Sequence, residues 1–235
     1  MKNEKPSVGQ APACALHADR SVTKIGLSVF LFAFLFAFTA WGDNFKALES
    51  DLDSRDWKVR LSAVERLDKI KEKKSTNLLI QVAGAKGEYW PVKIKAIQIL
   101  GERADPAAIE TLLDIYNDIF LNSECPAIKS YAAAALGSFK NNEAVYNALI
   151  TGIDDPELLT KEAVIESLGR LGNPDAIEFL IPLLNDESFT VRHSTIKALA
   201  NIGDKKAIPY LNNAAEKDKD PLLKEIAHLA LKSIR

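Results

Sequence analysis

Residues 173–203 read NPDAIEFLIPLLNDESFTVRHSTIKALANIG. Ile177, Leu180, Ile181 and Leu184 recur at helical spacing, and Asn185-Asp186 ends that run. Val191, Thr195, Ala198, Leu199 and Ile202 form a second run that stops at Gly203. Apolar residues three and four apart mark one face of a helix, so the stretch predicts two helices joined by a tight turn.

The unit recurs. Equivalents of Leu199 stand at Leu67, Leu100, Leu136, Leu168 and Leu231, so the six positions follow at intervals of 33, 36, 32, 31 and 32 residues. Four residues before each stand Ala63, Ala96, Ala132, Val164, Thr195 and Ala227. Eight before stand Val59, Val92, Ile128, Thr160, Val191 and Leu223. At 100° per residue the three columns lie within about 80° of one another, one buried stripe per helix. Small residues in the middle column let a neighbouring helix come close, and the large ones fill the grooves beside it. One helix pair cannot bury such a stripe, but stacked copies can, and six exceed the usual minimum of about three.

Thirteen residues before each leucine lies a cap- or turn-type residue: Ser54, Gly87, Ser123, Asp155, Asp186 or Asp218. Asp155-Pro156 and Asp220-Pro221 add a proline where the second helix is expected to begin. Seven before each leucine is always a cation: Arg60, Lys93, Lys129, Lys161, Arg192 and Lys224. Such a column could bind phosphate or acid. The better reading packs the aliphatic stems beside the stripe, with the heads meeting a cap aspartate of a neighbouring repeat. Trp57, Trp90, Leu158 and Phe189 share the position ten before the leucine and read as structural, not as an aromatic ligand box.

Val191-Arg192-x-x-Thr195-x-x-Ala198-Leu199-x-x-Ile202-Gly203-Asp204 resembles the short HEAT-like repeat of the phycobilisome bilin lyases. So do Ile128-Lys129-x-x-Ala132-x-x-Ala135-Leu136-Gly137 and Val59-Arg60-x-x-Ala63. The resemblance covers about 190 residues and implies an all-α fold, an α-α superhelix or HEAT-like solenoid of about six helical-hairpin repeats with about twelve helices. The patterns of tetratricopeptide and ankyrin repeats are missing.

Composition agrees with a folded chain: 235 residues, 47% hydrophobic and 26% charged. After Gly42 stand 26 basic and 30 acidic residues, which argues against nucleic acid as a partner. Of the two cysteines, Cys14 and Cys125, only the second lies in the repeats, so they hold no internal disulfide.

Residues 1–42 form a leader, and 43–235 the repeat domain. Within the leader, residues 25–41 (IGLSVFLFAFLFAFTAW) run seventeen residues without a charge. That length is long for a signal-peptide core and short for a membrane span, so a cleaved signal, a retained inner-membrane anchor and a buried helix of the fold all stay open. Basic residues before the segment and acidic ones after it place the repeats outside the cytoplasm, periplasmic or secreted. An exported bacterial member of the HEAT-like family is the expectation.

Three further local features stand out. Repeat three is stretched by about four residues around 117–126, where Ile119, Phe120 and Leu121 could form a protruding edge. Pro182 falls inside the first helix of repeat five and should kink it. Gly101, Gly137, Gly169, Gly172 and Gly203 read as punctuation near helix ends.

Catalytic chemistry is not legible. His193 and His228 have no metal-ligand spacing to another residue, and neither is followed by Glu. The HEAT-repeat enzyme deoxyhypusine hydroxylase binds iron through His-Glu dipeptides, which this sequence lacks. No phosphate loop appears. The expectation is therefore a non-catalytic protein–protein interaction scaffold of the bacterial envelope, without catalytic residue, metal or cofactor. The alternatives are a phycocyanobilin lyase-like subunit, as the resemblance implies, or an assembly factor in an envelope complex. The expected partner is a protein or peptide, with no nucleic acid, and with membrane contact only through the leader if that is uncleaved.

Positions two and five before each leucine point about 160° and 140° away from it, onto the back of the second helix. In HEAT-like stacks, the resemblance implies, the second helices line the concave surface. Leu61, Ile94, Lys95, Gln98 and Tyr131 are the candidate groove for a peptide or protein segment. Ile226 and Leu229 would be covered by a second copy or partner at the far end.

Overall fold

The computed structural model describes residues 45–234, and the leader with its hydrophobic segment 25–41 lies outside them. Repeat one pairs α1 (45–52) with α2 (Trp57–Asp68), and repeat two pairs α3 (Lys73–Gly84) with α4 (Trp90–Arg103). Repeat three holds α5 (Ile109–Asn117), α6 (Ile119–Glu124) and α7 (Pro126–Leu136). Repeat four pairs α8 (Glu143–Thr151) with α9 (Leu158–Leu171). In repeat five α10 (Ile177–Leu180) precedes α11 (Phe189–Ile202), and in repeat six α12 (Ile208–Lys217) precedes α13 (Pro221–Ser233). Thirteen α-helices and no strand occur among the described residues, one helix more than the twelve expected. The extra one is α6, which the four additional residues of repeat three build.

The second helices stack in order, α2 on α4, α4 on α7, α7 on α9, α9 on α11 and α11 on α13. The stripe lies in that stack. Ala63, Ala96, Ala132, Val164, Thr195 and Ala227 are fully buried, as are Leu67, Leu100, Leu136, Leu168 and Leu199. The exceptions fall in the first and last repeats, where Val59 is 37% exposed and Leu231 is half-buried. A stripe is sealed by the copies on both sides of it.

Two of the glycines do something other than punctuate. Gly101 and Gly169 lie inside α4 and α9, and a Cβ there would come within 2.7 Å of the Ala135 Cα and 2.6 Å of the Ala198 Cα. They are where successive second helices touch backbone to backbone. Gly172 and Gly203 do end helices, at φ of 71° and 73°. Pro182 has the expected effect: α10 stops at Leu180 and the chain tightens into a 3-10 turn, Ile181–Asn185.

The column of turn residues lies two positions before the helix caps. Its three aspartates accept the amide of the residue two ahead, Asp155 from Glu157 (2.9 Å), Asp186 from Ser188 (2.8 Å) and Asp218 from Asp220 (2.8 Å). Each also receives the cation of the preceding repeat: Lys129 to Asp155 at 2.6 Å, Lys161 to Asp186 at 3.7 Å, Arg192 to Asp218 at 2.9 Å. Arg60 meets Glu88, one residue past Gly87, at 2.7 Å. Four of the six column cations thus stitch neighbouring repeats together, as the packing reading expects, whereas Lys93 and Lys224 donate to carbonyls of their own repeats. Pro221 is the first residue of α13, but Pro156 stands ahead of the cap of α9.

Candidate functional site

Leu61 on α2, Ile94 and Lys95 on α4, and Tyr131 on α7 are half-exposed, and Gln98 on α4 is exposed. Because α2, α4 and α7 stack side by side, the structure brings these five onto one outer face of consecutive second helices. Ile226 is half-exposed and Leu229 is 56% exposed, both on α13 and separated from the five by α9 and α11. The seven therefore make two patches. In the first, three large apolar side chains escape the core beside one ammonium and one amide, a mixture suited to a peptide with apolar and polar groups.

Sequence reading missed a second feature, at the junction of repeats three and four. A pocket of about 390 Å³ is lined by Tyr116, Asn117, Ile119, Asn122, Lys129, Thr151 and Gly152. Tyr116 is 2% exposed, and its hydroxyl has no hydrogen-bond partner. Burial, with a smaller contribution from the Asp155 charge, pushes its pKa up to about 12, so the phenol stays protonated. The Lys129 ammonium lies 5.3 Å from the Tyr116 ring centroid while it holds Asp155. Asn122 donates to the Ile115 and Tyr116 carbonyls and fastens α6 against the end of α5, leaving its own Oδ1 unpaired. The only signal for this pocket in the sequence is the four-residue stretch of repeat three.

Two arginines cap helix ends elsewhere. Arg103 donates to the Leu67 and Ile70 carbonyls at the end of α2, and Arg170 to the Ala134 carbonyl near the end of α7. Burial lowers the pKa of both. His193 stacks on Phe189 at 6.1 Å between ring centroids, and His228 is exposed. Among the described residues no three His, Cys, Asp or Glu side chains gather as a metal site.

A family model for HEAT repeats matches residues 45–120, 118–186 and 146–232. Among curated proteins, the deoxyhypusine hydroxylase of Candida albicans is 32% identical over 126 residues, which is 52% of this chain and 38% of that protein. The bilin biosynthesis protein PecE of Nostoc sp. is 34% identical over 128 residues, 49% of this chain and 50% of the relative. The phycocyanobilin lyase subunit beta of Nostoc sp. is 31% identical over 132 residues, 55% and 62% of the two chains. Each match spans less than two thirds of the relative's own length. Among solved structures, the CpcE–CpcF complex of phycocyanin lyase from Nostoc sp. superposes with a TM-score of 0.55 at 24% identity, covering 77% of this chain and 73% of that chain. A designed armadillo repeat protein reaches 0.56 at 18% identity, covering 80% and 98%. Both likenesses confirm the helical solenoid.

These relatives overturn one expectation. The chain was expected not to be an enzyme, yet its curated relatives are a hydroxylase and lyase subunits, which point to catalytic or lyase activity. The physical reason is that the repeat columns encode stacking, which scaffolds and enzymes share, so missing motifs in those columns exclude no chemistry.

Proposed function

The chain belongs to the HEAT-repeat family, and from that premise we propose that it is a protein-binding scaffold whose α2–α4–α7 face grips a peptide or protein segment. The observation that carries this reading is Leu61, Ile94 and Tyr131, apolar side chains left half-exposed on three consecutive stacked helices, outside the buried stripe. Lys95 and Gln98 supply the polar contacts. A Tyr131→Ala, Ile94→Ser double variant tests it. Both positions are part-exposed, so melting should stay within a few degrees while a partner identified with the unaltered protein is lost. Full retention of that partner by the folded variant rejects the face.

The reading includes a location. The uncharged segment 25–41, with basic residues before it and acidic ones after it, supports export of the repeats to the bacterial envelope. A reporter that works only outside the cytoplasm, fused after Asp43, should be active. Activity of a cytoplasm-only reporter reverses the assignment.

A second reading is favoured by the two Nostoc relatives: a lyase-type subunit that holds an antenna protein during bilin attachment. It needs the same protein-gripping face and adds chemistry to it. Incubation with phycocyanobilin and an antenna apoprotein should then give a covalent coloured adduct. A colourless product removes this reading.

A further inference from the structure

We propose that the edge formed by the helix-to-helix turns of repeats three to five is a second docking surface, for a positively charged protein segment bearing large apolar anchors. Five large apolar side chains mark it. Ile119 and Phe120 on α6 are 74% and 79% exposed, Leu158 and Leu159 at the start of α9 are 46% and 65% exposed, and Phe189 at the start of α11 is 37% exposed. All five sit at, or just ahead of, the beginning of a second helix. They therefore form one rim of the stack and are separate from the outer face of α2, α4 and α7. Single exposed apolar residues are ordinary, but a run across three successive turns is a patch.

The charge on this rim selects the occupant. Asp118, Asp154, Glu157 and Glu187 are exposed in the same turns. No Lys or Arg stands in residues 117–127, 151–159 or 185–190. The cations of the same repeats, Lys129, Lys161 and Arg192, lie one helical turn further in and are already held by Asp155, Asp186 and Asp218. Lys219 of repeat six reaches the Glu187 backbone carbonyl at 3.3 Å, and no described cation pairs with the Glu187 carboxylate. An apolar rim edged by carboxylates that no described cation pairs, Asp118 among them while it caps the Phe120 and Leu121 amides, repels an anionic lipid surface and repels a second copy of itself. It attracts a cationic segment.

The rim also has a recess for an anchor. The pocket of about 390 Å³ opens between α6 and the end of α8, flanked in sequence by Ile119 on one side and the turn leading to Leu158 on the other. The Tyr116 hydroxyl in its wall is unpartnered and lies so close to Gly152 that a Cβ there would fall 1.8 Å from it. The pocket thus offers mostly apolar surface with the unpaired Tyr116 hydroxyl and Asn122 Oδ1 in its wall, the pattern of a central anchor site ringed by rim contacts. Stacked helices stand about 10 Å apart, and a polyproline II segment, with three residues per turn and about 3.1 Å per residue, returns every third side chain to one face about 9 Å on. The fitting segment therefore carries an apolar residue at every third position with Lys or Arg between.

The test uses the full chain and three fluorescein-labelled synthetic peptides: (Leu-Lys-Lys)4, (Ser-Lys-Lys)4 and (Leu-Glu-Glu)4. Fluorescence anisotropy should give tightest binding for the first, weakened at least tenfold by 0.5 M salt. Phe120→Ser with Leu158→Ser, and separately Asp154→Lys with Glu187→Lys, should each weaken it at least tenfold. Tyr131→Ala with Ile94→Ser should leave it unchanged, which separates this rim from the outer face. Hydroxyl-radical footprinting should show Phe120, Leu158 and Phe189 protected by (Leu-Lys-Lys)4. Equal binding of the serine peptide, or unchanged binding by both rim variants, overturns the proposal. So does protection of the three residues by phosphatidylglycerol vesicles alone, which assigns the rim to lipid. Protection by raising the protein concentration alone assigns it to a second copy and overturns it equally.

Discussion

Arg192 in repeat five and Lys93 in repeat two occupy the same register position and the same degree of burial, 3% exposed each, yet they are satisfied differently. Arg192 forks onto Asp218 of the next repeat and donates to the Asp186 and Glu187 carbonyls of its own turn. Lys93 donates to the Ala83 and Ala85 carbonyls, at 2.6 and 2.7 Å, and pairs with no carboxylate among the described residues. The position that supplies Asp155, Asp186 and Asp218 elsewhere is Ser123 in the stretched repeat. Burial accordingly lowers the Lys93 pKa. The register decides where a cation is buried, and the turn of the following repeat decides whether it finds a carboxylate. Among the described residues, the junction that contains α6 shows one stitch fewer.

Breaking the stronger stitch should have the largest effect. Asp218→Ala leaves Arg192 buried without its carboxylate, and both side chains are nearly inaccessible, at 4% and 3% exposure. The loss expected is about 3–5 kcal/mol, read from urea unfolding. A loss below about 1 kcal/mol would mean that the carbonyls alone hold the guanidinium, and the two junctions would then be equivalent.

The stretched region has its own signature in alkali. The buried Tyr116 phenol titrates near 12 in the folded chain and near 10.0 when unfolded. Its protonated form is favoured by folding, so this contribution is intact below pH 10 and is lost as pH rises from 10 to 12. The unaltered protein should lose about 2 kcal/mol more than Tyr116→Phe across that window. The depressed Lys93 acts with the opposite sign, gaining stability as pH rises towards 10.5, but it is common to both proteins and cancels in the comparison. At neutral pH Tyr116→Phe should change stability by less than about 1 kcal/mol, because the deleted hydroxyl has no partner.

Lys93→Met sharpens the contrast at the weaker junction. The stem keeps its packing, the buried charge disappears, and two carbonyls lose a donor, for a net cost of about 1–2 kcal/mol. A cost equal to that of Asp218→Ala would show that the ion pair adds nothing to the stack.

The columns were legible because burial in a helical stack repeats with the chain, and Ala63 or Leu136 carries the period in its own identity. Other features have no period. The α6 helix looks like a longer turn, since six residues with one N-terminal aspartate show too short a pattern to separate helix from loop. Gly101 and Gly172 have the same composition signal, but one is a contact between helices and the other a left-handed cap. The outer face was legible from angles about the helix axis. The Tyr116 pocket was not, because its hydroxyl, Gly152 and Asn122 come from different helices and meet only after the stack forms. The link to enzymes lies in no column at all.

The smallest effect compares how the second helices end. Gly172 and Gly203 close α9 and α11 four residues past the column leucine, each at positive φ, with its amide donating to that leucine's carbonyl. In repeat two the same position is Ala104, at φ 50°, bonded in the same way to Leu100. An L-residue in this region carries a Cβ-to-carbonyl crowding cost of about 1–2 kcal/mol. Glycine removes that cost and gives some of it back as unfolded-chain entropy. Ala104→Gly should therefore stabilise by about 0.5–1 kcal/mol. Gly172→Ala is the matched reverse: no atom lies within 4 Å of the added Cβ, so its loss of about 1 kcal/mol is a backbone effect uncontaminated by packing. Opposite signs in urea unfolding would establish that repeat two keeps the helix ending of repeats four and five at a small conformational cost. If Ala104→Gly destabilises instead, the α4 end is held by its surroundings, chiefly the neighbouring Arg103 bonded back to α2, and not by the local geometry it shares with its counterparts.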